Sequence, residues 1–167
     1  MSRVINELVE EKILSNVVVK CVIKRQGAVF GGYLRDFFAN EKSKDIDVIV
    51  HQAQYDAFHT DLVALGYETK STPNKYETYI YTKENSIEVE VLIEDDPEME
   101  GKRLGPCPAP DYSVNLLAYD KNGLYEWMGE FEVWDILHQI NKRVAISIEP
   151  SLERKKKFAT KGYTIVA

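Results

Sequence analysis

Between Gly27 and Val50 the chain reads GAVFGGYLRDFFANEKSKDIDVIV, and this order of residues narrows the folds open to it more than any other segment. A short apolar run, Ala28 to Phe30, stops at two consecutive glycines. A helix-forming segment opens directly behind them, and Asp45 and Asp47 then stand at the mouth of a second apolar run. Short apolar runs of this kind, punctuated by glycine and aspartate, suit strands, so the segment predicts a strand–turn–helix–strand unit. Paired glycines let the backbone approach a ligand with no Cβ in the way, and the first turn of the helix offers amide N–H groups and partial positive charge that favour phosphate. On a strand, Asp45 and Asp47 leave the same face. Two carboxylates so placed repel each other unless a cation lies between them, and hard divalent ions such as Mg²⁺ prefer oxygen ligands of this kind. Each feature alone also has a plain account, since glycine pairs turn chains and aspartates are common in turns. Together they suit a site that holds a nucleoside triphosphate by its tail and metal ions by the aspartates.

SIEVEVLI, residues 86–93, adds Glu88 and Glu90 on one face of another alternating strand. With YETYIYT before it and KENS between, it predicts an antiparallel hairpin. Upstream, Leu8, Val9, Leu14, Val17, Val18, Cys21 and Val22 recur at mostly three- and four-residue spacing and predict one or two helices ending before Gly27. The β-branched run Val17–Val19 would also suit a strand. QAQYDAFHTDLVALG predicts a helix closed by Gly66, with Tyr55, Phe58, Leu62 and Leu65 on one face. Residues 94–110 hold four of the six prolines and predict a loop, flexible or serving as a lid. DYSVNLLAYDKNGLYEW is expected to open as a helix and pass into a strand or turn. GEFEVWDILHQINKRVAIS predicts a helix and a short strand, and residues 149–167 a short helical segment.

The balance of 44% hydrophobic and 29% charged residues over 167 positions is that of one globular domain. A net charge of −6 argues against a broad basic nucleic-acid surface and leaves room for a local cationic strip. Cys21 and Cys107 make no disulfide framework, the N-terminus lacks a signal-peptide core, and no apolar run approaches the ~20 residues a bilayer requires. A cytoplasmic setting without a membrane partner is therefore expected. His51, His59 and His138 show no metal-ligand spacing with the cysteines, and Trp127 and Trp134 suit packing better than base stacking.

Gly31-Gly32-Tyr33-Leu34-Arg35-Asp36 followed by Asp45-Ile46-Asp47 resembles the G-G-x-x-R-D and D-x-D signature of the nucleotidyltransferase superfamily. The form is that of the head domain of bacterial-type poly(A) polymerases and class II CCA-adding tRNA nucleotidyltransferases. Further segments agree in order: DYSVNLLAYD is similar to the family's D-F-T-x-N-A-L-A-Y-D, and EPSLERKKKFATKGYTI to a worn D-P-x-R-x-x-R-x-x-R-F-A-x-x-x-G-F-x-I. The resemblance covers about residues 5–165.

It implies an α+β, polymerase-beta-like nucleotidyltransferase fold, a mixed β-sheet flanked by helices, over residues 1–167 as a single head domain. Asp45, Asp47 and Glu88 would hold Mg²⁺ (or Mn²⁺), with Glu90 the less well aligned alternative to Glu88. Gly31 and Gly32 would hold the triphosphate, and Arg35 would either touch it or brace Asp36. Asp111 and Asn115 fall on nucleotide-site positions, and Arg154 and Lys157 keep two of three basic positions in the last segment. The family's Arg-Arg before D-F-T is replaced by Ala109-Pro110, leaving Arg103 as the nearest substitute. The family's neck, body and tail, which choose the base and hold tRNA, find no counterpart, so a minimal stand-alone form is expected. The implied activity is metal-dependent transfer of a nucleoside monophosphate from an NTP to an acceptor hydroxyl, an RNA 3′ end and tRNA among them, with release of pyrophosphate. The alternatives are a protein or small-molecule hydroxyl as acceptor, or a nucleotide-binding module without catalysis.

Overall fold

Two short helices lead into the central unit of the computed structural model, which describes residues 5–70, 78–105, 110–148 and 152–166, the side chains of 152–155 excepted. They are α1 (Glu7–Leu14) and α2 (Val17–Lys24). Asn6 Oδ1 accepts the Val9 amide at 3.0 Å, and Asn16 Oδ1 accepts those of Val18 and Val19 at 2.8 and 3.2 Å. This second cap explains why Val17–Val19 is helical. A β-branched residue costs a helix roughly 0.5 kcal/mol, whereas a side-chain cap contributes ~1 kcal/mol and each buried valine ~1.5 kcal/mol or more. Val18, Val19 and Val22 are all buried, so packing and capping outweigh propensity.

The expected unit follows as β1 (Ala28–Phe30), α3 (Gly32–Phe38) and β2 (Asp45–His51), then α4 (Gln52–Ala64). Arg25 donates Nε and Nη2 to the Asp61 carboxylate at 2.7 and 3.0 Å, tying the end of α2 to α4. The chain continues through β3 (Glu68–Lys70), β4 (Tyr79–Thr82), β5 (Glu88–Glu94), β6 (Leu117–Asp120) and β7 (Gly123–Glu126). Helix α5 (Val133–Lys142), β8 (Val144–Ile146), α6 (Leu152–Thr160) and β9 (Thr164–Val166) complete it, with β8 and β9 pairing in parallel.

The seven-stranded sheet runs β3-β4-β5-β2-β1-β6-β7. β2 and β5 pair in parallel, and the other neighbours are antiparallel. The hairpin expected around KENS is β4–β5. Tyr76 lies outside the described residues, and the neighbouring tyrosines pack: Tyr81 Oη bonds Tyr55 Oη at 2.6 Å and His59 Nδ1 at 2.7 Å, while the Tyr79 ring lies 5.2 Å from that of Tyr55. Because strand side chains alternate, Ile46, Val48, Val50, Val89 and Val91 share the helix-covered face and are fully buried. Asp45, Asp47, Ile49, Glu88, Glu90 and Leu92 are left on the other face.

A strap from the 94–110 segment covers the apolar half of that second face. It carries a 3₁₀ turn at Pro97–Met99, and Leu104 packs with Ala28, Ile49, Ala118 and Tyr125. Arg103 grips Asp120 with Nε and Nη2 at 3.0 and 3.1 Å, its guanidinium 3.9 Å from the Tyr125 ring centre. The Tyr125 hydroxyl donates to the Leu104 carbonyl at 2.6 Å, and His51 Nε2 donates to the Asp96 carbonyl at 2.8 Å. Residues 106–109, Cys107 and Ala109 among them, lie outside the described residues. Among the described residues no helix is long and apolar enough to cross a membrane.

DYSVNLLAYDKNGLYEW departs from expectation: it forms a 3₁₀ turn at Ser113–Asn115 and then the β6–β7 hairpin, with no α-helix. All four residues of β6 are buried, because the strand lies between β1 and β7 with both faces covered. A continuous apolar run suits that position, whereas an amphipathic helix would need a polar face. Trp134, expected to pack, is 69% exposed at the start of α5. The hairpin is joined to α5 through Glu126, whose carboxylate accepts the amides of Met128 and Gly129 on Oε1, the latter at 3.0 Å, and of Glu130 and Phe131 on Oε2, both at 2.7 Å. Glu126→Ala strands several of these donors and is expected to cost ~2 kcal/mol. That loss lowers the thermal midpoint by about 5 °C in a domain of this size, and differential scanning calorimetry reads it directly.

Candidate functional site

The central unit meets the 3₁₀ turn and α6 at a cleft of about 440 Å³. Its elbow is Gly31, with φ +75° and ψ −138°, a conformation that L side chains rarely adopt. A Cβ built there would stand 3.7 Å from Asp47 Oδ2, so the aspartate lies directly against the turn. A Cβ on Gly32 would stand 3.2 Å from Arg35 Nη2, which puts the guanidinium beneath the elbow. With seven residues, α3 brings little macrodipole. Its contribution is local, through the amides of its first turn, which have no partner within a helix.

Parallel register decides the acidic side of the cleft. Asp45 stands opposite Glu88 and Asp47 opposite Glu90, and opposed residues of paired strands share a face. Asp45, Glu88 and Glu90 each offer a carboxylate oxygen, and these atoms all lie within 4.8 Å of one another. An all-oxygen set this compact fits Mg²⁺ or Mn²⁺. Of the four acids, Asp45, Asp47 and Glu90 line the cleft. Glu88 sits farther out, with Lys70 Nζ 3.6 Å from its Oε1. Glu90 therefore belongs to both groupings, although the resemblance to known sequences ranked Glu88 above it.

The floor is a buried ionic cluster. Arg35 and Asp36 are each only 4% exposed. Asp36 Oδ1 accepts Arg35 Nε at 3.0 Å and sits 2.9 Å from Nη2, and Oδ2 accepts the Ser43 hydroxyl at 2.7 Å. Arg35 Nη1 donates to Asn115 Oδ1 at 2.7 Å, and the guanidinium lies 4.9 Å from the Phe158 ring centre. Both sequence-level roles for Arg35 thus have a geometric basis: it is bound to Asp36 and it faces the cleft.

Asn115 lines the cleft, as does Lys157 on α6. Asp111 does not; it stands half-buried before the 3₁₀ turn, its carbonyl accepting the Ile148 amide at 2.7 Å. Arg103 is committed to Asp120 under the strap, away from the cleft. The Arg154 side chain lies outside the described residues.

Three cleft lysines escaped the sequence reasoning: Lys42, Lys44 and Lys161. The first two alternate just ahead of Asp45 in EKSKDID, a signal that was present and passed over. Lys161 had only its four-residue spacing from Lys157. Counting Arg35 and Lys157, five cations face the four carboxylates Asp36, Asp45, Asp47 and Glu90, in a chain whose net charge is −6. Burial, and then the charge of Arg35, push the Lys161 ammonium below its ordinary value, with Asp36 pulling the other way.

The sequence matches no family model and no curated protein. In shape it is similar to solved structures. The apo form I of a CCA-adding enzyme aligns with a TM-score of 0.62 at 13% identity, over 96% of this chain and 42% of that one. A CCA-adding enzyme in complex with CTP gives 0.61 at 16% identity, over 96% and 43%. The Thermotoga maritima CCA-adding enzyme complexed with tRNA gives 0.59 at 13% identity, over 94% and 42%. The chain spans less than half the length of each of these proteins. The likeness shows the fold alone: an α+β arrangement with a mixed sheet flanked by helices, shared with those CCA-adding enzymes.

Proposed function

We propose that the protein is a metal-dependent nucleotidyltransferase that moves a nucleoside monophosphate from an NTP to an acceptor hydroxyl, the 3′ end of an RNA such as tRNA. The observation that carries this reading is one cleft in which three carboxylates, a glycine elbow and a wall of lysines converge on the nucleotidyltransferase fold. Asp45, Asp47 and Glu90 would hold Mg²⁺ or Mn²⁺, with Glu88 at the outer edge of the set. When bound, such ions neutralise charge on the reacting phosphates and make an acceptor hydroxyl easier to deprotonate.

The chain's own residues supply the rest. Gly31 and Gly32 let backbone amides approach the triphosphate, and the guanidinium beneath the elbow adds positive field without leaving Asp36. Asn115 orients that guanidinium. In the reaction the acceptor oxygen bonds to the α-phosphorus, the bond from that phosphorus to the bridging β-oxygen breaks in line, and pyrophosphate leaves. The hydroxyl proton passes to water or to a carboxylate of the acidic set. Lys42, Lys44 and Lys157, spread along the cleft wall, suit the backbone of an RNA acceptor, whose phosphates dominate binding of nucleic acid. The neighbouring structures, CCA-adding enzymes solved with tRNA and with CTP, point to the same class of acceptor and donor. We take a cytoplasmic setting as part of the same proposal.

Incubation of the protein with each α-³²P-labelled NTP, Mg²⁺ or Mn²⁺ and total RNA tests the reading. Label is expected in RNA. Label that stays on the protein, or enters a small molecule, would change the acceptor. Nucleotide binding with no transfer in any arm would reduce the protein to a binding module.

A further inference from the structure

Lys161 falls at a position of EPSLERKKKFATKGYTI to which the sequence assigns no role, and its backbone is hydrogen-bonded at the rim of the cleft. Its amide donates to the Lys157 carbonyl at 3.2 Å, and the next residue, Gly162, turns the chain at φ +83°. Phe158 and Tyr163 bracket it, both buried, with rings 5.4 Å apart, and the Tyr163 amide closes on the Phe158 carbonyl at 3.0 Å. The side chain leaves this fixed turn for the cleft and is 26% exposed.

Its ammonium sits loosely there. Nζ lies 3.4 Å from both oxygens of Asp36, whereas a committed N⁺–H···O⁻ contact runs ~2.7–2.9 Å. Asp36 already holds Arg35 and Ser43 at 3.0 Å or less. One carboxylate therefore faces two cations, and Lys161 is the surplus one. Its ammonium is disfavoured by burial and by Arg35, and an arriving polyanion offsets both by adding negative charge beside it. Lysine carries a compact charge on a flexible stem, suited to swinging from one anion to another. Lys161 meets the cleft beside Asp36, a carboxylate outside the acidic set that would hold metal ions, so a phosphate that draws it off Asp36 suits the leaving group better than the reacting α-phosphorus.

We infer that Lys161 grips the β- and γ-phosphates of the bound nucleotide and so sets the preference of the cleft for triphosphates over monophosphates. The inference rests on the nucleotide reading proposed above.

Isothermal titration of the full chain with ATP, AMP and inorganic tripolyphosphate, in Mg²⁺ and without RNA, separates the two. Lys161→Met is expected to weaken ATP and tripolyphosphate by about ten- to a hundredfold, the range of one charge-assisted hydrogen bond. AMP binding should stay within about twofold, and Lys161→Arg should recover most of the loss. Thermal melts of each variant identify any that fail to fold, and the arginine variant then carries the comparison through its ATP-to-AMP ratio. If Lys161→Met binds ATP as the wild type does, or loses ATP and AMP in equal measure, the grip is overturned while the nucleotide reading stands. A wild type that binds tripolyphosphate through Lys161 but no nucleotide keeps the grip and removes the nucleotide reading. A wild type that binds neither overturns both.

Discussion

Asp45→Asn is expected to lower nucleotidyl transfer by about a thousandfold, the equivalent of ~4 kcal/mol of lost transition-state stabilisation, while leaving the protein at least as stable as before. The two effects have opposite signs for a physical reason. Asp45 is exposed at the start of β2, and its carboxylate oxygen shares a space of 4.8 Å with those of Glu88 and Glu90. Each such like-charge contact costs about 1 kcal/mol in water-like surroundings, and a neutral amide removes it. A residue kept for folding would show the reverse pattern, with activity falling only as far as stability falls. Divalent ions add a third readout. Mg²⁺ should raise the thermal midpoint of the wild type in proportion to its occupancy and do little for Asp45→Asn. Comparing the two glutamates ranks them: Glu90→Gln should approach the loss seen for Asp45→Asn, because Glu90 lines the cleft, whereas Glu88→Gln should keep most of the activity, because Glu88 leans outward to Lys70. Transfer by Asp45→Asn within tenfold of the wild type would remove the acidic set from the chemistry.

The outline of this site was legible because its parts are local in sequence. The elbow at Gly31 and Gly32, the helix behind it and the Asp45–Asp47 pair fall within one strand–turn–helix–strand unit, and strand alternation alone says that the two aspartates share a face. The third acid was harder to rank. Glu88 and Glu90 share the same alternation, and only the parallel register of β2 against β5, a pairing across forty residues, sets Glu90 opposite Asp47. The last of the cleft lysines was illegible for a related reason. Lys161 reaches the cleft through the turn after α6, and no periodicity in FATKGYTI announces a contact with Asp36, 125 positions earlier. The misjudged helix at 111–120 fails in another way. LLAYD contains an apolar stretch compatible with either a helix or a strand, and the deciding fact is that β6 has neighbours on both sides. The short strand expected at the end of GEFEVWDILHQINKRVAIS is β8, whereas edge strand β3, exposed throughout, and β9, the partner of β8, carried too little apolar pattern to be noticed.

Asp36→Ala is expected to destabilise the fold by ~3–5 kcal/mol, and at ~2–4 °C per kcal/mol to lower the thermal midpoint by about 10 °C. The size follows from what is left behind. The Arg35 side chain is 5% exposed and Lys161 is 26% exposed, so two positive groups lose the carboxylate between them in a place where water replaces it poorly. The Ser43 hydroxyl loses its acceptor as well. The converse change, Arg35→Met, should cost less, because Asp36 keeps Ser43 and can draw Lys161 closer than its present 3.4 Å. The asymmetry separates this cluster from an exposed ion pair, for which either change costs ~1 kcal/mol or less. It also predicts a rescue. In Asp36→Ala the floor of the cleft carries two uncompensated cations, so inorganic tripolyphosphate should raise its melting temperature by more than it raises that of the wild type. Equal, small losses for Asp36→Ala and Arg35→Met, with no added benefit from the polyanion, would mean that the Arg-Asp pair does not set the charge of the cleft, and that the positive field under the elbow arises elsewhere.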